Sequence, residues 1–181
     1  MEQQHRATVR DVDDLVGQTA LKEDIVRWGQ DAKSVPTALL FHGPPGTGKT
    51  SSAVLIARTL LGLEWFDSNY IESNASDDRG ISFIRDELKQ LMRVKPIGLH
   101  RKVILLDEAD GLTPAAQDAM RRLIEKYSKH TLLILTCNDL EKIRPAIRSR
   151  CAVYGFSPVD PIEGAVRLSK VYDIDNKDIL F

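Results

Sequence analysis

The sequence has few of the features that mark secreted, membrane-spanning or strongly basic proteins. Only two of its 181 residues are cysteines, Cys137 and Cys151, and their spacing fits neither a metal site nor a disulfide framework. No apolar run approaches the ~18 residues of a membrane span, and no apolar stretch follows the amino terminus as in a signal peptide. We therefore expect reduced thiols, no membrane partner, and a cytoplasmic location, or a nuclear one if the source is eukaryotic.

The scarcity of aromatic residues, at 6%, does not indicate disorder, because the apolar share of 43% is ordinary for a globular protein. The formal net charge is only −1, so a nucleic-acid site has to come from local clusters of basic residues. The length allows one large domain, or one domain and part of another.

One stretch matches a phosphate-binding loop at every fixed position. Residues 43–50 read GPPGTGKT, between an apolar run at Ala38–Phe41 and an apolar helical pattern. The glycines let the backbone approach a polyphosphate, and the amides that begin the next helix point at the anion. Lys49 is placed to contact the β- and γ-phosphates, and the Thr50 hydroxyl to bind Mg²⁺. A chance match in a turn is the alternative, which the flanking strand and helix disfavour.

Strand patterns alternate with helical patterns along the chain. We predict strands at residues 38–41, 70–74, 102–108, 131–138 and 152–156. We predict helices at residues 19–28 with Thr19 as N-cap, 51–61 closed by Gly62, 81–93, 113–127 with Thr113 as N-cap, and 143–150 interrupted at Pro145, and a last one from about residue 158. This alternation indicates an α/β fold, with a five-stranded parallel sheet between layers of helices.

Polar residues follow two of the apolar strands, where ligands of parallel sheets bind. Asp107 fits the carboxylate that holds Mg²⁺, and Glu108 is a candidate general base for the attacking water. The alternative is a surface acidic pair, which the phosphate-binding loop makes less favoured. The amide of Asn138 is within possible reach of a γ-phosphate, although an asparagine after a strand is also a common turn former.

Taken together, these residues resemble a known family. The loop at 43–50, Asp107–Asp110, Asn138 and Ser149–Cys151 are similar to AAA+ ATPases of the sliding-clamp-loader group, and within it to the replication factor C small subunits of archaea and eukaryotes. Asn74–Ile81 resembles a segment specific to that subgroup. The similarity covers about residues 12–160, and it implies a P-loop NTPase fold of the AAA+ type with ATP or ADP and Mg²⁺ as ligands.

The resemblance implies a role for each matching residue. Asn74 would be a switch residue that restrains the base until DNA binds, and Asn138 would sense the γ-phosphate. Arg150 would be an arginine finger that acts in trans on the ATP of a neighbouring subunit. The implied catalytic residues are Lys49, Asn74, Glu108, Asn138 and Arg150, with Mg²⁺ on Thr50 and Asp107. The implied nucleotide contacts are Val16, Gly17, Gln18, Gly43, Pro44, Pro45, Gly46, Thr47, Gly48, Lys49, Thr50, Ser51 and Asn138, the first three near the adenine.

The resemblance also divides the chain in two. Residues 1–157 would form the AAA+ ATPase domain, and residues 158–181 the beginning of an incomplete helical lid. The family has a Tyr-Arg-Pro segment where this sequence reads Ala7–Val9, so the contacts with the base and ribose are expected to differ. The rest of the lid and the collar domain would then lie outside this sequence, as in a fragment or in a shortened protein that assembles through other chains.

Basic residues cluster between Lys89 and Lys102, a stretch with five lysines or arginines and no acidic residue. Such a run is usually a solvated surface, and this interpretation stays open. The resemblance favours contacts with DNA phosphates instead, from Arg79, Arg85, Arg93 and Lys95. Because no aromatic residues interleave with the run, we expect binding that depends on salt and hardly on sequence.

We predict an ATP-binding and ATP-hydrolysing subunit of a sliding-clamp loader in DNA replication. Its partners would be other clamp-loader subunits, a sliding clamp and primer–template DNA. One alternative is a catalytically weak structural subunit that binds nucleotide and donates Arg150; the intact Lys49, Asp107 and Glu108 argue against it. The other is a different AAA+ DNA-remodelling ATPase, such as a branch-migration helicase, which Ser149–Cys151 fits poorly.

Overall fold

A single parallel sheet organises the protein. The computed structural model describes residues 11–75, 80–158 and 160–164. The strands are β1 Ala38–His42, β2 Tyr70–Asn74, β3 Lys102–Asp107, β4 Thr131–Cys137 and β5 Ala152–Gly155. Their order is β2-β3-β4-β1-β5, and all four neighbouring pairs are parallel. The predicted five-stranded parallel sheet is confirmed.

Helices cover both faces of this sheet. They are α1 Thr19–Gln30, α2 Lys49–Asn69, α3 Ile81–Phe83, a π-helical segment Ile84–Leu88, α4 Lys89–Arg93, α5 Pro114–Tyr127 and α6 Pro145–Arg148. Short 3₁₀ turns lie at Val12–Asp14, Ala32–Ser34, Ala109–Gly111 and Leu140–Lys142. None of the helices in the described part of the chain is long and apolar enough to cross a membrane.

The core has two halves, one on each face of the sheet. Successive side chains of a strand point to opposite faces, so Leu40 of β1 packs in one half and Leu39 and Phe41 pack in the other. The first half is closed by the helices from α3 to α6, and the second by α1 and α2. This three-layer arrangement buries β1, β3 and β4, which explains their continuous apolar runs.

The helix starts show one prediction that is confirmed and one that is wrong. Thr113 is the N-cap of α5, since its hydroxyl accepts a hydrogen bond from the Ala116 amide at 3.3 Å and Pro114 follows. Thr19 is not the N-cap of α1, because Gln18 occupies that position with φ of 56° and makes no side-chain cap. Two consecutive left-handed residues, Gly17 and Gln18, turn the chain directly into the helix, so Thr19 is already helical.

Other helix boundaries also differ from the predictions. Gly62 (φ 70°) kinks α2 rather than closing it, and the helix resumes to Asn69 where a connection was predicted. Pro145 begins α6 rather than interrupting it, because proline suits the first position of a helix. Residues 161–164 form one helical turn, and the remainder of the predicted last helix lies outside the described residues.

Parallel strands give the sheet two chemically distinct edges. At the carboxyl edge, where the strands end, lie the loop after β1, the Asp107 end of β3 and the Cys137 end of β4. The amino edge, where the strands begin, carries Lys102 and Thr131. The sequence-predicted phosphate loop and acidic pair therefore meet at one edge.

Candidate functional site

A cleft of about 340 Å³ opens at the carboxyl edge. The loop after β1 and the start of α2 form one wall, and the ends of β3 and β4 form the other. Its lining residues are Pro45, Gly46, Gly48, Lys49, Thr50, Ser51, Asp107, Glu108, Thr136, Cys137 and Asn138. The structure thus brings the predicted phosphate loop, acidic pair and sensor asparagine into one cavity.

The loop backbone depends on glycine for two different reasons. Gly46 and Gly48 have φ of 76° and 91°, and a Cβ atom at either position would meet nothing within 4 Å. These residues provide the left-handed turn and leave open space beside it. Gly43 has φ of 145°, and its Cβ would lie 2.0 Å from the carbonyl oxygen of Phe156. Gly43 is therefore required by the close approach of the chain that leaves β5.

Lys49 places a cation at the centre of the cleft. Its Nζ donates to the carbonyl oxygens of Gly43 at 2.7 Å and Pro44 at 2.8 Å, and to Oδ1 of Asn138 at 3.1 Å. Burial lowers the pKa of Lys49, while the negative charge of Asp107 opposes that shift. The ammonium group therefore joins the phosphate loop to the end of β4.

The oxygen ligands suited to Mg²⁺ lie next to each other. Thr50 Oγ1 donates to Asp107 Oδ2 at 3.0 Å, and Thr136 donates to the other carboxylate oxygen of Asp107. A hydroxyl and a carboxylate are ligands that Mg²⁺ accepts, usually together with water and substrate phosphate oxygens. The described residues contain no group of three or more acidic, histidine or cysteine side chains that could hold a metal alone. The pair therefore fits Mg²⁺ that arrives with a phosphate ligand.

Glu108 occupies a left-handed backbone conformation with φ of 55°. Its N–H donates to Asp107 Oδ1 and to Thr136 Oγ1, both at 3.1 Å, and these bonds fix the turn. Such a conformation costs a non-glycine residue about 1–3 kcal/mol and is frequent at functional sites. The exposed Glu108 lines the cleft beside Asp107, a position suitable for a base.

Four further predicted residues do not line the cleft. Asn74 ends β2 and pairs in register with Asp107, one strand away. Gly17 and Gln18, predicted near an adenine with Val16, stand at the start of α1 on the face that α2 covers. None of these four is among the lining residues of the cleft, so the structure does not join them to the phosphate loop directly.

Arg150 lies at the amino edge of the sheet, far from the cleft of its own chain. Its carbonyl oxygen accepts from Thr37 Oγ1 at 3.2 Å, and Thr37 directly precedes β1. The phosphate loop follows β1, whose five residues span about 17 Å at 3.3 Å each. The guanidinium group contacts Glu125 Oε1 at 2.6 Å through Nε and the Ala146 carbonyl at 2.7 Å. Arg150 therefore cannot complete this cleft from within the chain.

The basic run divides into exposed and buried residues. Arg85, Arg93 and Lys95 are exposed, as a contact with DNA phosphates requires. Arg79 lies outside the described residues.

Two members of the run have structural partners instead. Arg101 donates to the carbonyl oxygens of Pro36 and Ser128, each at 3.0 Å. Lys102 donates to the carbonyls of Leu91 and Val94 at the end of α4, and it is 2% exposed. For these two residues the interpretation as a solvated surface is wrong, because the protein's own carbonyl groups accept hydrogen bonds from both cations, although the buried Nε of Arg101 has no partner.

The sequence reasoning missed two polar residues of the site. Thr136 bonds Asp107 and accepts from Glu108, and its only signal was a hydroxyl near the end of an apolar strand. Asp110 accepts from the backbone amides of Asn138 and Asp139. Its position in the Asp107–Asp110 segment was noted, but a bond to the next strand depends on the fold.

Residues 39–159 match the model of the ATPase family associated with various cellular activities (AAA). The chain belongs to the AAA family. This AAA domain is 48% identical over 151 residues to the replication factor C small subunit of Archaeoglobus fulgidus, which covers 83% of this chain and 46% of that protein. It is 41% identical over 165 residues to that of Methanothermobacter thermautotrophicus, over 91% of this chain and 50% of the relative. The AAA chain thus spans about half the length of the curated relatives it matches.

Solved structures agree on the AAA fold. A point variant of Thermotoga maritima RuvB superposes with a TM-score of 0.73 at 19% identity, over 96% of this chain and 58% of that one. A DNA polymerase III gamma subunit-related protein from the same organism gives 0.65 at 17% identity, over 87% and 55%. At these identities the likeness concerns the fold alone. The predicted AAA+ fold is confirmed, as is the resemblance to replication factor C small subunits.

Proposed function

We propose that this AAA domain binds ATP with Mg²⁺ in the carboxyl-edge cleft and hydrolyses it as part of a sliding-clamp loader. The observation that carries the chemistry is the convergence of Lys49, Asn138 and the Thr50–Asp107 pair in one cavity. The similarity to replication factor C small subunits supports clamp loading as the purpose of the ATPase. A place at replicating DNA, in a nucleoid or a nucleus, follows from this role.

The phosphate groups would bind to the loop and to the amino terminus of α2. That helix has 21 residues, and its first amides and dipole favour an anion. Lys49 would exchange the carbonyl oxygens of Gly43 and Pro44 for oxygens of the β- and γ-phosphates. Thr50 and Asp107 would hold Mg²⁺, which neutralises phosphate charge when it is bound.

Hydrolysis would use Glu108 as the base. Its carboxylate takes a proton from water, the water oxygen bonds to the γ-phosphorus, and the bond from phosphorus to the β–γ bridging oxygen breaks to release ADP. Asn138, which accepts from Lys49, would orient the γ-phosphate. Asn74, across from Asp107 in register, would act on the base as a switch.

Arg150 would complete the site of a neighbouring subunit. Its place at the amino edge supports an action in trans. In a head-to-tail assembly, the neighbouring subunit would present its carboxyl edge to the guanidinium group of Arg150. A guanidinium group neutralises the charge that develops on the transferred phosphoryl group. Hydrolysis would then depend on assembly.

The segment after α4 is our candidate for clamp contact. It exposes Val94 and Ile97, at 65% and 59%. Asn69 holds this segment in place, since it accepts from the Ile97 amide at 2.8 Å and donates to the Ile97 carbonyl at 2.9 Å. The exposed Arg85, Arg93 and Lys95 would contact phosphates of primer–template DNA.

The proposal is tested by ATP turnover of the chain alone and after mixing with full-length partner subunits from the same organism. We expect turnover to rise on mixing and to fall about 100-fold or more when the donor carries Arg150→Ala. Arg148→Ala is the matched control, because the Arg148 side chain is 29% exposed, like that of Arg150, and bonds Glu141 at 3.2 Å. Turnover that ignores Arg150→Ala would contradict the action in trans.

Clamp loading is tested separately by capture of the chain on immobilised sliding clamp in ATP and in ADP. We expect retention in ATP only, and weaker retention of a variant with Val94→Ser and Ile97→Ser. Retention that is equal in both nucleotides would exclude a nucleotide-driven loader but leave the ATPase assignment intact.

A further inference from the structure

Asp110 links the ends of two neighbouring strands, β3 and β4, although none of the roles above uses it. One carboxylate oxygen, Oδ2, accepts from the backbone amides of two consecutive residues, Asn138 and Asp139, at 3.2 Å each. Asp110 itself lies in the 3₁₀ turn Ala109–Gly111, directly after Glu108. The carboxylate therefore joins the turn after β3 to the chain that leaves β4.

Hydrogen bonds, rather than packing, fix the backbone at this point. Cys137 is buried, whereas the next two residues, Asn138 and Asp139, are exposed. A bond from an amide to a carboxylate is roughly twice as strong as one between neutral groups. The side chain attached to this anchored backbone accepts from Lys49 Nζ at 3.1 Å. The direction of the Asn138 side-chain carboxamide thus depends on Asp110 in the neighbouring turn.

We propose that Asp110 is a positioning residue: by anchoring the backbone of Asn138, it holds the side-chain carboxamide of Asn138 where that group meets the γ-phosphate. The inference rests on the proposed function, because the amide matters only if the cleft binds ATP. ADP has no γ-phosphate, so a displaced Asn138 weakens ATP binding and leaves ADP binding unchanged. The same hydrogen bonds tie Asn138 to the turn that follows Glu108. The distance between Asn138, as the sensor, and Glu108, as the base, therefore stays constant when either segment moves.

Two substitutions separate anchoring from simple removal of charge. Asp110→Ala removes the acceptor of both amides. Asp110→Asn removes the charge but keeps one carbonyl oxygen, and the two bonds use a single oxygen in the native protein. The control is Asp31→Ala, which removes a carboxylate that accepts from the Lys33 amide at 3.0 Å in the turn after α1, outside the cleft.

The measurement is the affinity for ATP and for ADP by titration calorimetry. We expect Asp110→Ala to lower the preference for ATP about 10-fold, the value of one hydrogen bond to the γ-phosphate, with ADP affinity within about 2-fold of wild type. Asp110→Asn should restore most of the preference, and Asp31→Ala should leave it unchanged. In the nucleotide-free protein, amide exchange by NMR should speed up at Asn138 and Asp139 in Asp110→Ala.

Different failures have different meanings. An unchanged preference in Asp110→Ala would overturn the positioning role and leave the ATPase assignment standing. An Asn variant that loses as much preference as the Ala variant would also overturn it, because charge near Lys49 would then be the cause. Wild-type protein that binds neither nucleotide would overturn the proposed function, and the role of Asp110 with it.

Discussion

Two buried lysines, one at each edge of the sheet, make the same kind of contact with opposite consequences. Lys49 at the carboxyl edge and Lys102 at the amino edge each donate to two backbone carbonyl oxygens. Burial lowers the pKa of both. Lys49 opens onto a cleft and has the carboxylates of Asp107 and Asp110 nearby, whereas Lys102 lies beneath the end of α4.

The difference lies in what else each cation can reach. Lys102 donates to the carbonyls of Leu91, in the last turn of α4, and of the C-cap residue Val94, so its ammonium group caps the end of that helix. Lys49 has a third partner, Asn138, and an open cavity in front of it. A lysine bonded to backbone carbonyls therefore has a structural role where the protein surrounds it. Where a cavity adjoins the lysine, the same ammonium group can also contact a ligand.

The largest effect on stability should come from Lys102→Met. Methionine keeps the apolar stem but takes the donor from the carbonyls of Leu91 and Val94, and both bonds are lost, so we expect a loss of about 3 kcal/mol in the free energy of unfolding. Urea denaturation measures it. The control Lys95→Met alters an exposed lysine a few residues away and should change stability by less than about 0.5 kcal/mol. Equal effects would mean that the bonds from Lys102 to the two carbonyls do not contribute to stability.

Lys49→Met should have the opposite effects, with a large loss of ATP affinity and a small change in stability. We expect ATP affinity to fall about 100-fold or more, because the cation that faces the phosphates is lost, while the free energy of unfolding changes by less than about 1 kcal/mol. Fluorescence titration with a labelled ATP analogue measures the affinity, and Lys33→Met, at an exposed turn, is the control. Unchanged ATP affinity would remove the basis of the proposed function.

Two glycines of the loop show where the carboxyl edge is enclosed and where it is open. Gly43→Ala would drive a Cβ into the Phe156 carbonyl, and we expect it to cost about 2–3 kcal/mol of stability. Gly46→Ala meets open space and carries only the strain of a left-handed alanine, about 1 kcal/mol. Guanidinium denaturation of both variants measures the difference between their free energies of unfolding. Equal losses would show that the contact with Phe156 adds nothing beyond backbone strain.

The smallest effects concern the thiols, one near each edge. Burial raises the pKa of Cys137 and of Cys151 to about 12. Unfolded thiols ionise near pH 9, so between about pH 9 and 12 each folded thiol keeps its proton longer, and its contribution to the free energy of unfolding falls as pH rises. Urea denaturation at several pH values measures the slope of the free energy of unfolding against pH, and the slope should be less negative in each single-cysteine variant than in the native protein.

The reaction of these thiols with a disulfide reagent at pH 8 compares the edges directly. In Cys151→Ala, the remaining Cys137 lines the cleft, and ATP should slow its reaction about 2–5-fold, because the nucleotide covers it. In Cys137→Ala, the remaining Cys151 precedes β5 at the amino edge and should react at the same rate with or without ATP. Protection of Cys151 would place the nucleotide elsewhere.

Much of this architecture could be predicted from local sequence. The alternation of apolar strands with helices indicated the parallel sheet, and a parallel sheet brings all strand ends to one edge. The phosphate loop and the Asp107–Glu108 pair were therefore expected to meet, and both line the cleft. The N-cap at Thr113 was readable because its signal lies within three residues.

What escaped prediction depends on contacts between distant parts of the chain. Nothing local distinguishes Lys102 from the exposed Lys95, since the carbonyls that bury Lys102 belong to a helix end 8 to 11 residues away. Thr136 lies 29 residues from Asp107, and their bond exists only because β3 and β4 are neighbours. The N-cap of α1 was misplaced because a left-handed glutamine has no sequence signature.

The contact between Gly43 and Phe156 has a mechanical consequence. The Phe156 amide donates to the His42 carbonyl at 2.7 Å, so the chain leaves the sheet against the first residue of the phosphate loop. Phe156 directly follows the last residue of β5, Gly155. A ligand that shifts the phosphate loop at Gly43 would therefore also press on Phe156, so nucleotide binding and the path of the chain out of β5 would be mechanically coupled.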